Sequence, residues 1–210
     1  MRCLQNLNKT NRLLTLSLVV VMRAFAQAQS DEKTLHPCAE IFSGNDASDL
    51  SMYFQKNQKL QECMVGKKFP SFKATAMSGK NYSSTDLTNK VVLINSWFIG
   101  CAPCKAEIPL LNELNQEFKD KGFLLLAFST DKDEHLTEFL KDRSITFDVF
   151  SNSKELLDQK LKTTYSYPAN IFLNKKGEIV AYSAGGALDE KGLQQTKEKF
   201  RKIIMDELAK

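Results

Sequence analysis

The feature that most constrains this chain is the run Val91-Val92-Leu93-Ile94-Asn95-Ser96-Trp97-Phe98, which leads into Cys101-Ala102-Pro103-Cys104. A nearly continuous apolar, β-branched run of this length suits a central strand covered on both faces of a sheet. Beyond the second Cys, Ile108, Leu111, Leu114 and Phe118 recur at helical spacing up to Lys119, and Gly122 ends the helix. Two cysteines therefore sit at the junction of a buried strand and a helix. A helix start offers unpaired backbone N–H groups and the positive end of the helix dipole. Both favour a thiolate at Cys101, whose pKa is expected below the free value of ~8.5. Cys104 lies one turn further in and is expected to be the less exposed. The pattern predicts a dithiol that closes and reopens: Cys101 attacks a target disulfide, and Cys104 then attacks Cys101 and releases the reduced target. Pro103 removes one donor near the sulfurs and stiffens the turn, which favours a reductant over a strong oxidant.

The rest of the chain arranges itself around that junction. Residues 30–66 are polar, with a helix expected over Asp49–Met64 that places Leu50, Tyr53, Phe54 and Leu60 on one face. Phe69 to Met77 alternates, Ser78-Gly79-Lys80 supplies a turn, and a hairpin closes near Asn81–Ser83. Phe123 to Ser129 reads as a buried strand, and Leu136, Phe139 and Leu140 as one side of a helix. Phe147 to Phe150 reads as a short strand and Leu156, Leu157 and Leu161 as a helix. Ala169 to Leu173 and Glu178 to Ser183 form a hairpin about Asn174–Gly177. Leu188 to Leu208 is an amphipathic end segment carrying Leu193, Phe200, Ile203, Ile204 and Leu208. Strands alternating with helices predict an α/β fold whose mainly parallel sheet has helices on both faces, made mixed by the last hairpin.

The first residues read as an address. Arg2, Lys9, Arg12 and Arg23 precede any acid, the apolar run Leu13–Met22 follows the basic stretch, and Ala24, Ala26 and Ala28 supply small residues. This is the layout of a secretory signal peptide over residues 1–28, followed by an N-terminal extension over 29–65 and a main domain over 66–210. The run is about 10 residues where a spanning helix needs ~20. An uncleaved anchor facing the periplasm is the competing reading, and membrane contact depends on it. Without residues 1–28 the chain carries 25 basic and 25 acidic residues, which argues against an electrostatic nucleic-acid binder. Export leaves Cys38, Cys63, Cys101 and Cys104, an even number in an oxidising compartment. Of the three possible pairings, spacing favours 101–104 with 38–63. A structural 38–63 bridge closing 25 positions would contribute ~3 kcal/mol, and a second redox pair is the alternative.

In these residues the chain resembles the thioredoxin superfamily, specifically its TlpA/ResA/CcmG-like exported thiol–disulfide oxidoreductases with an AhpC/TSA-redoxin-type domain. The resemblance covers roughly residues 66–208 and implies a thioredoxin-like fold. Trp97 stands four residues before Cys101, where the family has its strand-end Trp, which implies a substrate-binding residue. The C-x-P-C core matches. Glu107, three residues after Cys104, matches the acid that ResA-like members carry beside the resolving Cys, which implies a catalytic proton acceptor. Pro109 matches the Pro that kinks the family's active-site helix. Tyr167-Pro168 matches the cis-Pro loop, whose backbone pairs with substrate. The segment between Asp131 and Phe150 matches the extra βα insertion of this branch. The resemblance also implies periplasmic disulfide-containing protein substrates, apocytochrome c cysteines among them, and a membrane electron donor of the thiol-reductase type. Gly100 departs from the pattern: the family has a bulky residue before the first Cys, so the attack face is expected to be more open here.

Each residue has a plainer role. Cys101 and Cys104 could form a structural disulfide or half a zinc site, but the only histidines are His36 and His135 and no knuckle-like spacing completes it. Glu107 could be an ordinary acid favoured by the helix dipole, Trp97 a core filler as well as a shield for the sulfurs, and Asp131–Glu134 a solvated helix start. No Gly-x-Gly-x-x-Gly is present, so no nicotinamide or flavin cofactor is expected. Lys105 after Cys104 excludes a haem attachment site. Two other function classes remain. A thiol peroxidase needs a hydroxyl residue three before its Cys, where this chain has Phe98. A non-catalytic metal carrier or assembly module of this fold needs a wider Cys spacing and a further His ligand.

Overall fold

The computed structural model describes residues 38, 41, 50–161 and 166–210. The expected leader and most of the expected extension lie outside the described residues. In chain order the elements are α1 (Leu50–Met64), β1 (Lys73–Thr75), β2 (Asn81–Ser83), β3 (Val91–Trp97), α2 (Ala102–Phe118), β4 (Phe123–Ser129), α3 (Asp133–Leu140), β5 (Asp148–Phe150), a π-helical segment over Leu156–Leu161, β6 (Ala169–Leu173), β7 (Ile179–Ala184) and α4 (Glu190–Leu208). The main sheet has five strands in the order β5-β4-β3-β6-β7, and β1 and β2 form a separate hairpin. β3 pairs in parallel with β4, and β4 with β5, whereas β6 is antiparallel to both β3 and β7. This is the expected mixed α/β sheet.

Successive side chains of a strand point to opposite faces, and β3 uses both. Val91, Leu93 and Trp97 face Leu110, Leu111, Leu114 and Phe118 of α2 and Phe200 and Ile204 of α4. Val92 and Ile94 face Leu60 and Met64 of α1 together with Phe69, Phe72 and Tyr82 around the hairpin. Every residue of β3 is buried, which is why its sequence lacks the alternation of a half-solvated strand. The extension is thus more than an appendage. Its helix closes one face of the sheet, and a disulfide joins Cys38 to Cys63 at the end of that helix.

Several sequence expectations shift. Phe54 is 63% exposed and does not share the core face of α1. That face follows Tyr53, Leu60 and Met64, and the neighbouring Phe54 lies about 100° round the helix. Phe69 to Phe72 precede the hairpin instead of forming its first strand. Pro70 has no N–H to extend a ladder, and the chain before it pairs with the start of β7: Gly66 N–H donates to Ile179 O at 2.8 Å, and Phe69 N–H to Gly177 O at 3.0 Å. Leu188 is 67% exposed and lies outside α4. The helix starts later because the Asp189 carboxylate caps it, accepting from Gly192 N–H at 2.9 Å. No helix among the described residues is long and apolar enough to cross a membrane.

Candidate active site

β3 ends at Trp97, and the chain bends through Phe98-Ile99-Gly100 before α2 begins. Asp131, two residues after β4, fixes that bend. One carboxylate oxygen accepts from Ile99 N–H at 2.7 Å and from the Ser129 hydroxyl at 2.8 Å. Of the acidic run expected to be solvated, Asp133 and Glu134 are exposed, but Asp131 is half-buried and tied to the cysteine loop.

Cys101 is the N-cap of α2, with Pro103 in the first turn. It is joined to Cys104 by a disulfide with the Cα atoms 5.2 Å apart. Cys104 N–H donates to Cys101 Sγ at 3.2 Å, so one helix-terminal donor already points at the sulfur expected to attack. Cys101 is 6% exposed and Cys104 3%, so the expected order holds but both sulfurs are largely covered. Trp97 lies in the same apolar cluster, itself 3% exposed, with its ring 5.6 Å from Phe139. That burial fits packing beside the sulfurs. It leaves little of the ring to touch a substrate, the role expected of Trp97 in the sequence.

The openness expected at Gly100 is corrected. A Cβ at Gly100 would lie 3.0 Å from Phe98 Cε2. The Phe98 ring therefore lies against the position from which a bulky side chain would grow. The ring pairs edge-to-face with Tyr167 at 5.2 Å and packs against the cluster that holds both cysteines. The ring also occupies the place where a peroxidase would present a hydroxyl.

The Tyr167–Pro168 peptide is cis. Pro168 and Pro103 come together on one backbone: a Cβ at Gly186 would lie 3.1 Å from Pro168 Cγ, 3.0 Å from Pro103 Cβ and 3.3 Å from Glu107 Oε1. Residues distant in sequence thus meet beside the disulfide, and a side chain larger than glycine's where they meet would be tightly packed. Gly186 was not singled out from the sequence. Pro109 sits inside α2, where its missing N–H leaves the Lys105 carbonyl without its helical partner.

Glu107 is 1% exposed, and burial raises its carboxyl from an ordinary 4.5 to about 7. The opposing influence is one hydrogen bond, from Asn170 Nδ2 to Glu107 Oε2 at 3.1 Å. Asn170 is paired across the sheet with Asn95, whose Nδ2 donates to Asn170 Oδ1 at 2.8 Å. The other carboxylate oxygen, Oε1, has no hydrogen-bond partner. Neither Asn was singled out from the sequence. The available signal was an amide in each of two otherwise apolar strands, since a buried amide requires partners.

Among the described residues no group of three or more His, Cys, Asp or Glu side chains could hold a metal ion. The arrangement can close and open one disulfide and can hold or release one proton beside it.

Comparison with known proteins gives the same picture. The model of the AhpC/TSA family matches residues 65–182. The thiol-disulfide oxidoreductase ResA of one Bacillus cereus strain is 31% identical over 152 residues, covering 70% of this chain and 79% of that protein. The thioredoxin-like protein YneN of Bacillus subtilis (strain 168) is 31% identical over 150 residues, covering 68% and 82%. Among solved structures, the thioredoxin domain of a thiol-disulfide oxidoreductase from Bacteroides vulgatus superposes with a TM-score of 0.54 at 28% identity, covering 65% of this chain and 96% of that one. A thioredoxin family thiol:disulfide interchange protein from Chlorobium tepidum TLS superposes with a TM-score of 0.57 at 20% identity, covering 68% and 97%, a likeness of fold.

Proposed function

The chain belongs to the AhpC/TSA family, as a ResA-like thiol–disulfide oxidoreductase, and from that premise we infer that it reduces disulfides of exported proteins in the periplasm through Cys101 and Cys104. The observation that carries this reading is the Cys101–Cys104 disulfide at the N-cap of α2, beside the cis Tyr167–Pro168 peptide and the buried Glu107 carboxyl.

In the reduced protein the helix start and the Cys104 N–H favour a thiolate at Cys101. That thiolate attacks one sulfur of the target disulfide and releases the other as a thiolate. Glu107 accepts the Cys104 proton. The Cys104 thiolate then attacks Cys101, the mixed disulfide breaks, and the target's second sulfur leaves as a thiolate that takes up a proton. Two electrons pass from the dithiol to the target. A membrane thiol reductase returns them to the Cys101–Cys104 pair. The cis-Pro loop holds the target chain, with Tyr167 and Pro168 as its contact residues. Pro103 keeps donors near the sulfurs few, which supports a reductant. Apocytochrome c cysteines are the target class that the ResA likeness favours. The leader over residues 1–28 delivers the protein, and the Cys38–Cys63 bridge is structural.

The test is insulin reduction with dithiothreitol as donor. Cys101→Ser abolishes activity, and retention of more than half would remove Cys101 as the nucleophile. Cys104→Ser accumulates mixed disulfides with target proteins, and failure to trap any would contradict the resolving role.

A further inference from the structure

The buried polar chain Asn95–Asn170–Glu107 has a direction. Asn95 Nδ2 donates to Asn170 Oδ1, so the amide oxygen of Asn170 is engaged. Only its N–H groups face Glu107, and one of them donates to Oε2. A protonated Oε2 would set its O–H against an N–H. Oε1 has no such obstacle and no partner. It lies on the side where Pro103, Pro168 and Gly186 meet. Neither proline has an N–H to offer it.

We propose that Asn170 is a positioning residue that, held by Asn95, reserves Glu107 Oε2 as an acceptor and leaves Oε1 as the atom that takes and gives the proton. The proposal rests on Glu107 being the proton acceptor for Cys104. In the resolving step the Cys104 S–H bond breaks and its proton bonds to Oε1. The sulfur lone pair attacks Cys101 Sγ, and the target leaves with the electrons of the broken S–S bond and takes up a proton. Asn170 touches no reacting atom. It acts by turning the carboxyl and by stabilising the ionised form with one donated hydrogen bond.

The groups around Glu107 leave the titration to these two influences. On its own helix Cys101 and Cys104 are joined as a disulfide and do not titrate in the oxidised protein, Lys105 is exposed and lies about 200° round the helix from Glu107, and the loop before β6 carries Tyr167. β3, β6 and the turn at 185–188 carry no acidic or basic residue. Asp131, beyond β4, is engaged by Ile99 and Ser129. Burial raises the carboxyl and Asn170 lowers it, with no charged side chain contributing.

The experiment is a carbon-13 titration of the Glu107 carboxyl in the full-length oxidised protein labelled at glutamate, with Glu107→Gln identifying the signal. Asn170→Leu moves the midpoint upward by about one pH unit, the scale of a hydrogen bond to a charged group. Asn95→Leu frees Asn170 to rotate and moves the midpoint the same way by less. Should Asn170→Leu not fold, Asn170→Val carries the same expectation. A midpoint unchanged from the wild type in the Asn170 variant, or displaced downward, overturns the proposal. The oxygen itself is read from an atomic-resolution structure below the midpoint, where the longer C–O bond falls on Oε1; a longer bond to Oε2 overturns the assignment.

A second readout separates this from the function it rests on. Reduced protein mixed with an aromatic disulfide releases two coloured thiolates in sequence, and the second reports resolution by Cys104. If the pH profile of that release follows the carboxyl midpoint in Asn170→Leu, both readings stand. If the midpoint moves and the profile does not, the hold of Asn170 on the carboxyl stands and Glu107 falls as the proton acceptor.

Discussion

Glu107→Gln isolates the thermodynamic cost of keeping a carboxylate buried in this core. Its carboxyl holds its proton up to about 7 in the folded protein, against an ordinary 4.5. The native state therefore binds this proton more tightly than the unfolded chain. The stability it contributes is fully present below pH 4.5 and is lost as pH rises through about 7. The difference corresponds to about 3 kcal/mol when fully expressed, and to roughly 2–3 kcal/mol between pH 5 and pH 8. Gln at this position does not titrate, and its misplaced amide costs the same at every pH. Urea unfolding of the oxidised wild type and of Glu107→Gln, at pH 5 and at pH 8, gives the contrast directly. With a slope of about 2 kcal/mol per molar urea, the separation between the two midpoints changes by about 1 M across that range in favour of the variant. A separation that is the same at both values would mean that the buried carboxyl titrates as an exposed one, and the argument from burial would fail.

Two further substitutions examine the framework. Gly186→Ala places a methyl 3.0–3.3 Å from Pro103, Pro168 and Glu107 Oε1. It is expected to cost ~1–3 kcal/mol as overpacking and to lower insulin reduction at least tenfold; activity within twofold of wild type would refute the need for glycine there. Replacing Cys38 and Cys63 together by Ser removes the 25-position bridge and is expected to cost ~3 kcal/mol in denaturant unfolding while leaving the Cys101–Cys104 couple titratable. A loss of insulin reduction by the folded double variant would make that bridge a redox partner instead.

What was legible in the sequence is what local pattern encodes. The run from Val91 to Trp97 forms a strand because nearly all of it is apolar and both of its faces are covered, and β4 follows for the same reason. The spacing of Cys101 and Cys104 at the strand–helix junction marked the dithiol without any three-dimensional information. The site's other parts were hidden because they depend on register. Asn95 and Asn170 are separated by 75 positions and meet only because β3 and β6 pair antiparallel with those two residues opposite each other. Gly100 misled for a related reason. A missing side chain implies open space only if no neighbour moves in, and the Phe98 ring, two residues earlier, does so. Tyr53, Leu60 and Met64 set the core face of α1, and Phe54 fell outside it because one position of a helix is worth more than a quarter turn.

Register also explains how two strand residues come to hold a carboxyl that stands on α2. Asn170 shares a face of β6 with Phe172, which packs toward α2 and α4, while Ala169, Ile171 and Leu173 pack on the opposite side. A slip of one residue in the β3–β6 pairing would turn Asn170 away from Glu107 and bury an amide among the residues around α1. The cost of that misplaced amide, together with the apolar residues displaced from both faces, holds the register. The same amide that orients the carboxyl therefore also disfavours the pairing that would lose it. Because the Asn95–Asn170 bond links neighbouring strands in the middle of the sheet, the Glu107 carboxyl is held from the buried core and not from a loop.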